Sequence, residues 1–383
     1  MTVTAAQGFL ASGVAAGIKE SGSPDLALVV NRGPSRAAAG VFTSNRVQAA
    51  PVRWSRRVLA GRRVSAVVLN SGGANACTGE AGALDTRAMA ERTADAVGVD
   101  PDEVAVCSTG LIGVRLPMDR VRAGIGTAAD ALSPLGGGDA ARAVMTTDSV
   151  HKTAAVARSG WTVGGMAKGA GMLAPGLATM LVVLTTDADA SGALLDSALR
   201  AAVRTTFDRV DSDGCMSTND TVLLLASGAS GEVPDAGEFT EAVHAVCADL
   251  ARQLVADAEG ASKEIEIEVV GAATERDAVT VGRSVARNNL LKCALHGEDP
   301  NWGRVLSAIG TTDAVFDPDR LDVAINGVWV CRDGAAGEPR EKAVLSGRRI
   351  TVTVDLRAGD AAAVVWTNDL TAEYVHENSA YSS

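Results

Sequence analysis

The chain has 383 residues, 47% of them hydrophobic and 3% aromatic, with 35 basic against 46 acidic side chains for a formal charge of −11. That length supports a large core, as one α/β body or two to three domain-sized units. The acidic balance, the lack of a basic stripe and the scarcity of aromatics argue against a nucleic-acid partner.

No apolar run approaches the ~18–20 residues of a membrane span. The N-terminus lacks the basic and apolar regions of a signal peptide, so no membrane partner and a cytoplasmic location are expected. Cys77, Cys107, Cys215, Cys247, Cys293 and Cys331 are scattered, with no CxxC pair and no His/Cys alternation at metal-ligand spacing. They read as small buried hydrophobes in a reducing compartment, with no metal or cofactor implied.

In chain order, β-branched apolar runs predict strands at Leu26–Asn31, Val64–Asn70, Val104–Ser108, Met180–Thr185, Thr221–Ala226, Ile265–Val270, Leu321–Asn326 and Ile350–Leu356. The alternating runs near 265 and 350 read as half-buried antiparallel strands. Helical spacing appears over Leu84–Val97, Asp139–Met145, Ala193–Val210 and Glu238–Asp257, the last with Phe239, Val243, Val246, Leu250 and Leu254 on one face. This mixed order predicts an α+β class with helices packed on sheets.

Several segments could carry chemistry. Lys168–Leu184 is a Gly/Pro-rich loop that runs through Ala178 and Thr179 into a buried strand. Cut before Thr179, the chain would start with a hydroxyl nucleophile and a free α-amine of pKa ~7.7–8.0 to act as its base. The plainer alternative is that Thr179 begins a strand. Cys107-Ser-Thr109-Gly110 is a strand-end turn that could supply an oxyanion hole. Thr146 and Thr147 could bind a carboxylate or simply end a helix, and Glu259 could bind a cation or sit on a solvated helix terminus. Asn70–Cys77 and His296–Arg304 read equally as pocket walls or anchored loops, and Asn378–Ser383 as a frayed end.

Taken together, Asn70–Gly79, Ser108–Gly113, Met145–Asp148, Ala167–Leu181, Ser217–Thr221, Asp257–Lys263, Asp299–Arg304 and Asn378–Ser383 resemble the ornithine acetyltransferase family, the glutamate N-acetyltransferases of arginine biosynthesis. The most specific block is Ala-Lys168-Gly-Ala-Gly-Met-Leu-Ala-Pro-Gly-Leu-Ala-Thr179-Met-Leu. The resemblance implies a layered α/β sandwich of the type shared with self-processing aminopeptidases. It implies cleavage between Ala178 and Thr179, giving an α-chain of residues 1–178 and a β-chain of residues 179–383 in an α2β2 assembly. It further implies acetyl transfer from N2-acetylornithine to glutamate through an acetyl-Thr179 enzyme, with Thr109 and Gly110 as the oxyanion hole.

Carried over by position, the substrate contacts are Thr147, Thr146, Lys168, Thr179, Glu259, Asn378 and Ser383. By charge, Lys168 suits a carboxylate and Glu259 the δ-ammonium of ornithine. Some family members also take acetyl from acetyl-CoA. Two alternatives stand beside this reading: a related aminopeptidase or amidohydrolase that passes the acyl group to water, and a non-enzymatic protein in which Thr179 only starts a strand.

Overall fold

The computed structural model describes residues 2–174 and 180–380. They form two compact units, Met1–Asp208 with Cys215–Asp257, and Arg209–Gly214 with Ala258–Tyr381. Ala178, Thr179 and Ser383 lie outside the described residues. The expected cleavage point falls, in sequence, within the first unit, so the two units are not the two expected chains.

The first unit contains strands β1 (Phe9–Val14), β2 (Leu26–Asn31), β3 (Ala38–Phe42), β4 (Ala66–Ser71), β5 (Val104–Thr109), β6 (Lys152–Ala157), β7 (Thr162–Lys168), β8 (Leu181–Thr186) and β9 (Thr221–Ala226). Its helices are α1 (Ala50–Val58), α2 (Gly79–Val97), α3 (Met118–Asp130), α4 (Gly137–Ala143), α5 (Gly192–Thr205) and α6 (Ala236–Ala256). One sheet runs β1-β2-β4-β5 and the other β3-β9-β8-β7-β6.

Successive side chains of a strand face opposite ways, and here both faces are covered. Leu28, Val30, Val68, Val104 and Val106 pack with Met89, Val121 and Ile125 of α2 and α3. Ala27, Val29, Val67, Leu69 and Cys107 face Met166, Val183, Leu223 and Leu225 of the other sheet. Helices α5 and α6 cover that second sheet from outside. The result is a helix–sheet–sheet–helix sandwich, in agreement with the sequence expectation. Double coverage also explains why β9 reads as an unbroken apolar run. The edge of β5 is closed by α1: Ser55 Oγ donates to Val106 O (2.7 Å) and accepts from Val106 N (2.8 Å), and Trp54 Nε1 donates to Val104 O (3.0 Å).

The second unit is a mixed sheet, β13-β12-β11-β14-β10-β15. Its strands are β10 (Glu264–Ala272), β11 (Asp322–Ile325), β12 (Val328–Arg332), β13 (Ala335–Ala336), β14 (Arg349–Asp355) and β15 (Ala361–Asn368). Its helices are α7 (Glu275–Ala286), α8 (Asn289–His296), α9 (Trp302–Ile309) and α10 (Ala372–Ala380). Ile265, Ile267, Val352, Val354 and Val365 share a core with Val281 and Val285 of α7 and Val305 of α9.

Three expectations are refined here. β10 and β14 each have an antiparallel neighbour, β15 and β11, but pair with each other in parallel, Ile265 opposite Ile350. Their alternation records one covered face, which either pairing direction allows. Trp302 begins α9 and is partly buried against the core, while Asn301 Oδ1 accepts from Arg304 N (3.3 Å), so His296–Arg304 is an anchored, capped turn. Asn378 belongs to α10 instead of a frayed tail. Among the described residues no helix is long and apolar enough to cross a membrane.

Candidate active site

Four strand ends meet at one edge of the first unit. β8 and β9 are parallel and start there, and β7, antiparallel to β8, ends there with Lys168 opposite Leu181. β5 brings Thr109 from the other sheet, and Lys168 Nζ donates to Thr109 Oγ1 at 3.4 Å. Both side chains are buried, Lys168 2% and Thr109 1% exposed. A lysine at a strand end and a threonine 59 residues earlier are thus brought into hydrogen-bond contact.

Gly110 continues the chain at φ +124°, a conformation L side chains rarely adopt. A Cβ there would lie 2.5 Å from Gly73 N and 2.6 Å from Gly72 C, so the strand-end turn and the Gly72–Gly73 turn touch backbone to backbone. Hydrogen bonds stitch the two loops: Gly73 N to Thr109 O, Ala74 N to Leu111 O and Gly113 N to Ala76 O, each 2.9 Å. Asn219, just before β9, clamps both through Nδ2 to Ala74 O (2.6 Å) and Ser108 O (2.8 Å). Asn70–Cys77 is therefore the wall that fixes the Thr109–Gly110 turn. Donors held this rigidly cost no reorganisation when charge develops on a carbonyl oxygen.

Asp148 organises the cationic side. Its carboxylate accepts from Gly169 N (2.7 Å), Thr146 N (3.0 Å) and Lys152 Nζ (2.7 Å), and lies 3.9 Å from Lys168 Nζ. Burial would push this carboxyl up, but the Lys168 and Lys152 ammonium groups and these hydrogen bonds overcome it and hold it at about 2. Lys152, fully buried, also donates to Asp257 Oδ2 at 2.5 Å. Asp257 in turn accepts from Ser149 N at 3.1 Å. The Thr146–Thr147 loop is thus held by Asp148 on one side and the end of α6 on the other.

Lys19 closes the same loop: its Nζ donates to Met145 O (2.6 Å) and Pro24 O (3.1 Å). Its own backbone is fixed by the buried Asp25 carboxylate, which accepts from Ala16 N, Ile18 N and Lys19 N. Burial lowers the Lys19 ammonium below its usual range; Asp25 opposes that, and Lys168 adds to it.

In the second unit the structure joins two further expected residues. Asn378 Nδ2 donates to Glu259 Oε2 (2.9 Å) and to Tyr374 O (3.0 Å). The turn carrying Glu259 lies against the start of α10: Thr371 Oγ1 donates to Gly260 O (2.7 Å), and a Cβ on Gly260 would meet Tyr374 N at 2.3 Å. Only glycine, at φ +61°, allows that approach.

Asp148, Lys152, Lys19, Asn219 and Asp220 were not singled out from sequence. Asp148 closes the Met-Thr-Thr-Asp segment, where only the hydroxyls drew attention. Asn219-Asp220 had one legible signal, two polar residues abutting a fully apolar strand.

A model of the ArgJ family matches residues 10–383 of the chain. The arginine biosynthesis bifunctional protein ArgJ of Streptomyces coelicolor is 70% identical over 383 residues, covering all of both chains. The protein so named from Thermobifida fusca is 62% identical, again over all of both. The crystal structure of ornithine acetyltransferase complexed with ornithine from Mycobacterium tuberculosis aligns at 56% identity and a TM-score of 0.45, covering 47% of this chain and 96% of that one.

Proposed function

The chain belongs to the ArgJ family, and from that premise we propose that it cuts itself before Thr179 and then moves acetyl from N2-acetyl-L-ornithine to L-glutamate. It is an acetyl-transferring enzyme of arginine biosynthesis. The observation that most supports the proposed site is the convergence of Thr109, Gly110 and Lys168 on the edge where β8 begins.

In processing, Thr179 Oγ attacks the Ala178 carbonyl and water hydrolyses the ester. In turnover, the Thr179 amine takes the Oγ proton, Oγ attacks the acetyl carbonyl, and Thr109 Oγ1 with Gly110 N–H receives the oxyanion. Ornithine leaves, and the amine of glutamate collects the acetyl group. Lys168 receives the substrate α-carboxylate beside Thr146 and Thr147. Glu259, aligned by Asn378, receives the δ-ammonium of ornithine, and Ser383 completes the substrate contacts. The relatives are called bifunctional, which supports acetyl-CoA as a second donor.

The α-chain of residues 1–178 would carry β3, β6 and β7, and the β-chain of residues 179–383 would carry β8 and β9. These interleave in one sheet, a ladder that would hold the products together after the cut. An α2β2 assembly in the cytoplasm completes the proposal.

Incubation with N2-acetylornithine, with and without glutamate, tests the transfer. Ornithine release should depend strongly on glutamate; equal release without it would instead indicate the hydrolase reading. Glu259→Gln should raise KM for N2-acetylornithine roughly tenfold or more, the worth of one charged hydrogen bond, while leaving self-cleavage intact. An unchanged KM would remove Glu259 from the site.

A further inference from the structure

The acetyl-transfer steps above give Lys19 no task, yet it lies against two walls of the candidate site. A Cβ on Gly72 would meet Lys19 Cγ at 3.1 Å, so the lysine stem lies on the turn that touches Gly110. Its Nζ donates to Met145 O at 2.6 Å, where the Thr146–Thr147 loop begins. Lys19 thus reaches from the strand-end turn that carries Thr109 and Gly110 to the loop that carries Thr146 and Thr147. All of these residues belong to the first unit.

The Lys19 ammonium is half-buried and short of anions. An ammonium has three N–H donors, and the carbonyls of Met145 and Pro24 take two of them. Among the described residues no carboxylate lies within ion-pair distance of it. The Asp25 oxygens accept from the amides of Ala16, Ile18 and Lys19 itself, and Asp148 pairs with Lys152 and Lys168. Lys168 acts on Lys19 as a like charge, with Asp25 and Asp148 opposing. A half-buried cation with a donor left over, beside a second cation, favours the arrival of an anion.

The two substrates differ in what they bring there. Both carry an α-carboxylate, for which Lys168 is proposed. The side chain of N2-acetylornithine ends in an ammonium and that of glutamate in a carboxylate. Glu259, proposed for the ammonium, would repel the γ-carboxylate. A site that takes both in turn therefore needs a cation for the acceptor alone.

We propose that Lys19 is the acceptor-selecting residue: its remaining N–H binds the γ-carboxylate of glutamate while Lys168 holds the α-carboxylate. This is a binding contact, and no bond is made or broken by it. In the donor half-reaction Lys19 meets no anionic side chain, so its charge favours glutamate specifically. The inference rests on the acetyl-transfer reading.

Glutamate and glutamine, which differ in the γ-carboxylate alone, are compared as acceptors for the wild-type chain, Lys19→Met and Lys19→Arg, with N2-acetylornithine as donor. In a ping-pong cycle kcat/KM for each substrate reports its own half-reaction. The wild-type chain should favour glutamate. Lys19→Met should lower that preference roughly tenfold or more, the worth of one charged hydrogen bond, and Lys19→Arg should keep part of it. A merely structural role would loosen the Thr146–Thr147 loop and weaken glutamate, glutamine and N2-acetylornithine by one factor, with the preference unchanged. That result would overturn the proposal, as would a wild-type chain that uses glutamine as readily as glutamate. A second measurement needs no variant. Reductive methylation of the wild-type chain, mapped by peptide mass spectrometry, should label Lys19 more slowly in N-acetylglutamate than in the same concentration of N-acetylglutamine. Equal labelling would refute the contact. Ornithine release that ignores glutamate would sink the transfer reading instead, and Lys19 would then stand or fall on the labelling alone.

Discussion

Thr179→Ala should leave the purified protein as a single chain of 38.9 kDa with acetyl transfer below detection. The unaltered chain should separate under denaturing mass spectrometry into chains of 178 and 205 residues. The expected loss is total because both steps use the same oxygen: without Oγ there is neither an acyl shift nor an acetyl-enzyme, and without the cut there is no α-amine to act as base. The fold should survive, since the β7, β8 and β9 ladder depends on backbone pairing from Leu181 onward. A cut Thr179→Ala chain, or an uncut one with wild-type kcat, would overturn the mechanism.

Asp148→Asn should be the most damaging change away from the nucleophile. It keeps the shape but removes one of the two carboxylates that neutralise the fully buried Lys152, leaving Asp257 alone, and it withdraws the anion beside Lys168. Breaking a buried pair from one side costs roughly 3–5 kcal/mol, because the stranded charge stays in a poor solvent. Chemical denaturation should show that loss, with a drop of several degrees in Tm.

The pH dependence follows from the sign of the shift. Asp148 is depressed to about 2 in the folded chain, below the ~3.9 of an unfolded aspartate. Its contribution is therefore present above about pH 4 and lost as pH falls through about 2. The wild-type chain should lose stability steeply in that acid window, and Asp148→Asn should lose that component of the slope. KM should also rise for both N2-acetylornithine and glutamate, since Thr146 N and Gly169 N bond different oxygens of Asp148 and an amide side chain keeps only one acceptor oxygen for the two. A variant with wild-type stability and KM would show that Asp148 holds neither the lysines nor the loop.

Where packing follows local pattern, the chain could be read directly. β2 and β9 match their apolar runs end to end, and β8 is displaced by one residue. The strands that escaped notice break the pattern for packing reasons. β7 contains Gly164-Gly165, which reads as a loop, yet a Cβ on Gly165 would meet Leu184 Cδ2 at 2.7 Å and Leu250 Cδ1 at 3.1 Å. Gly165 is where the sheet accepts α6, and Gly164, on the other face, is where it accepts Thr2, whose carbonyl oxygen would stand 2.4 Å from an added Cβ. In α3, Gly124 similarly admits the chain at Ala16, whose Cβ would stand 2.3 Å from an added Cβ. β15 is rich in alanine, a weak strand former, and is recruited by pairing with β10. α2 begins at Gly79, five residues before its apolar spacing becomes visible at Leu84.

The sequence by itself determined the residue types of the proposed chemistry and their order along the chain: a threonine after a Gly/Pro loop, a Thr-Gly pair at a strand end, and a lysine just before the loop. Those are local facts, set by neighbours within a few positions, and local periodicity and turn chemistry encode them. Only the tertiary structure decided which groups neutralise and orient one another. Asp257 reaches Lys152 across 105 positions, Asn378 reaches Glu259 across 119, and Asp220 meets the amide of Met180 across 40. No local pattern encodes such pairs, because a buried charge or amide is satisfied by whatever group the packed layers bring within about 3 Å.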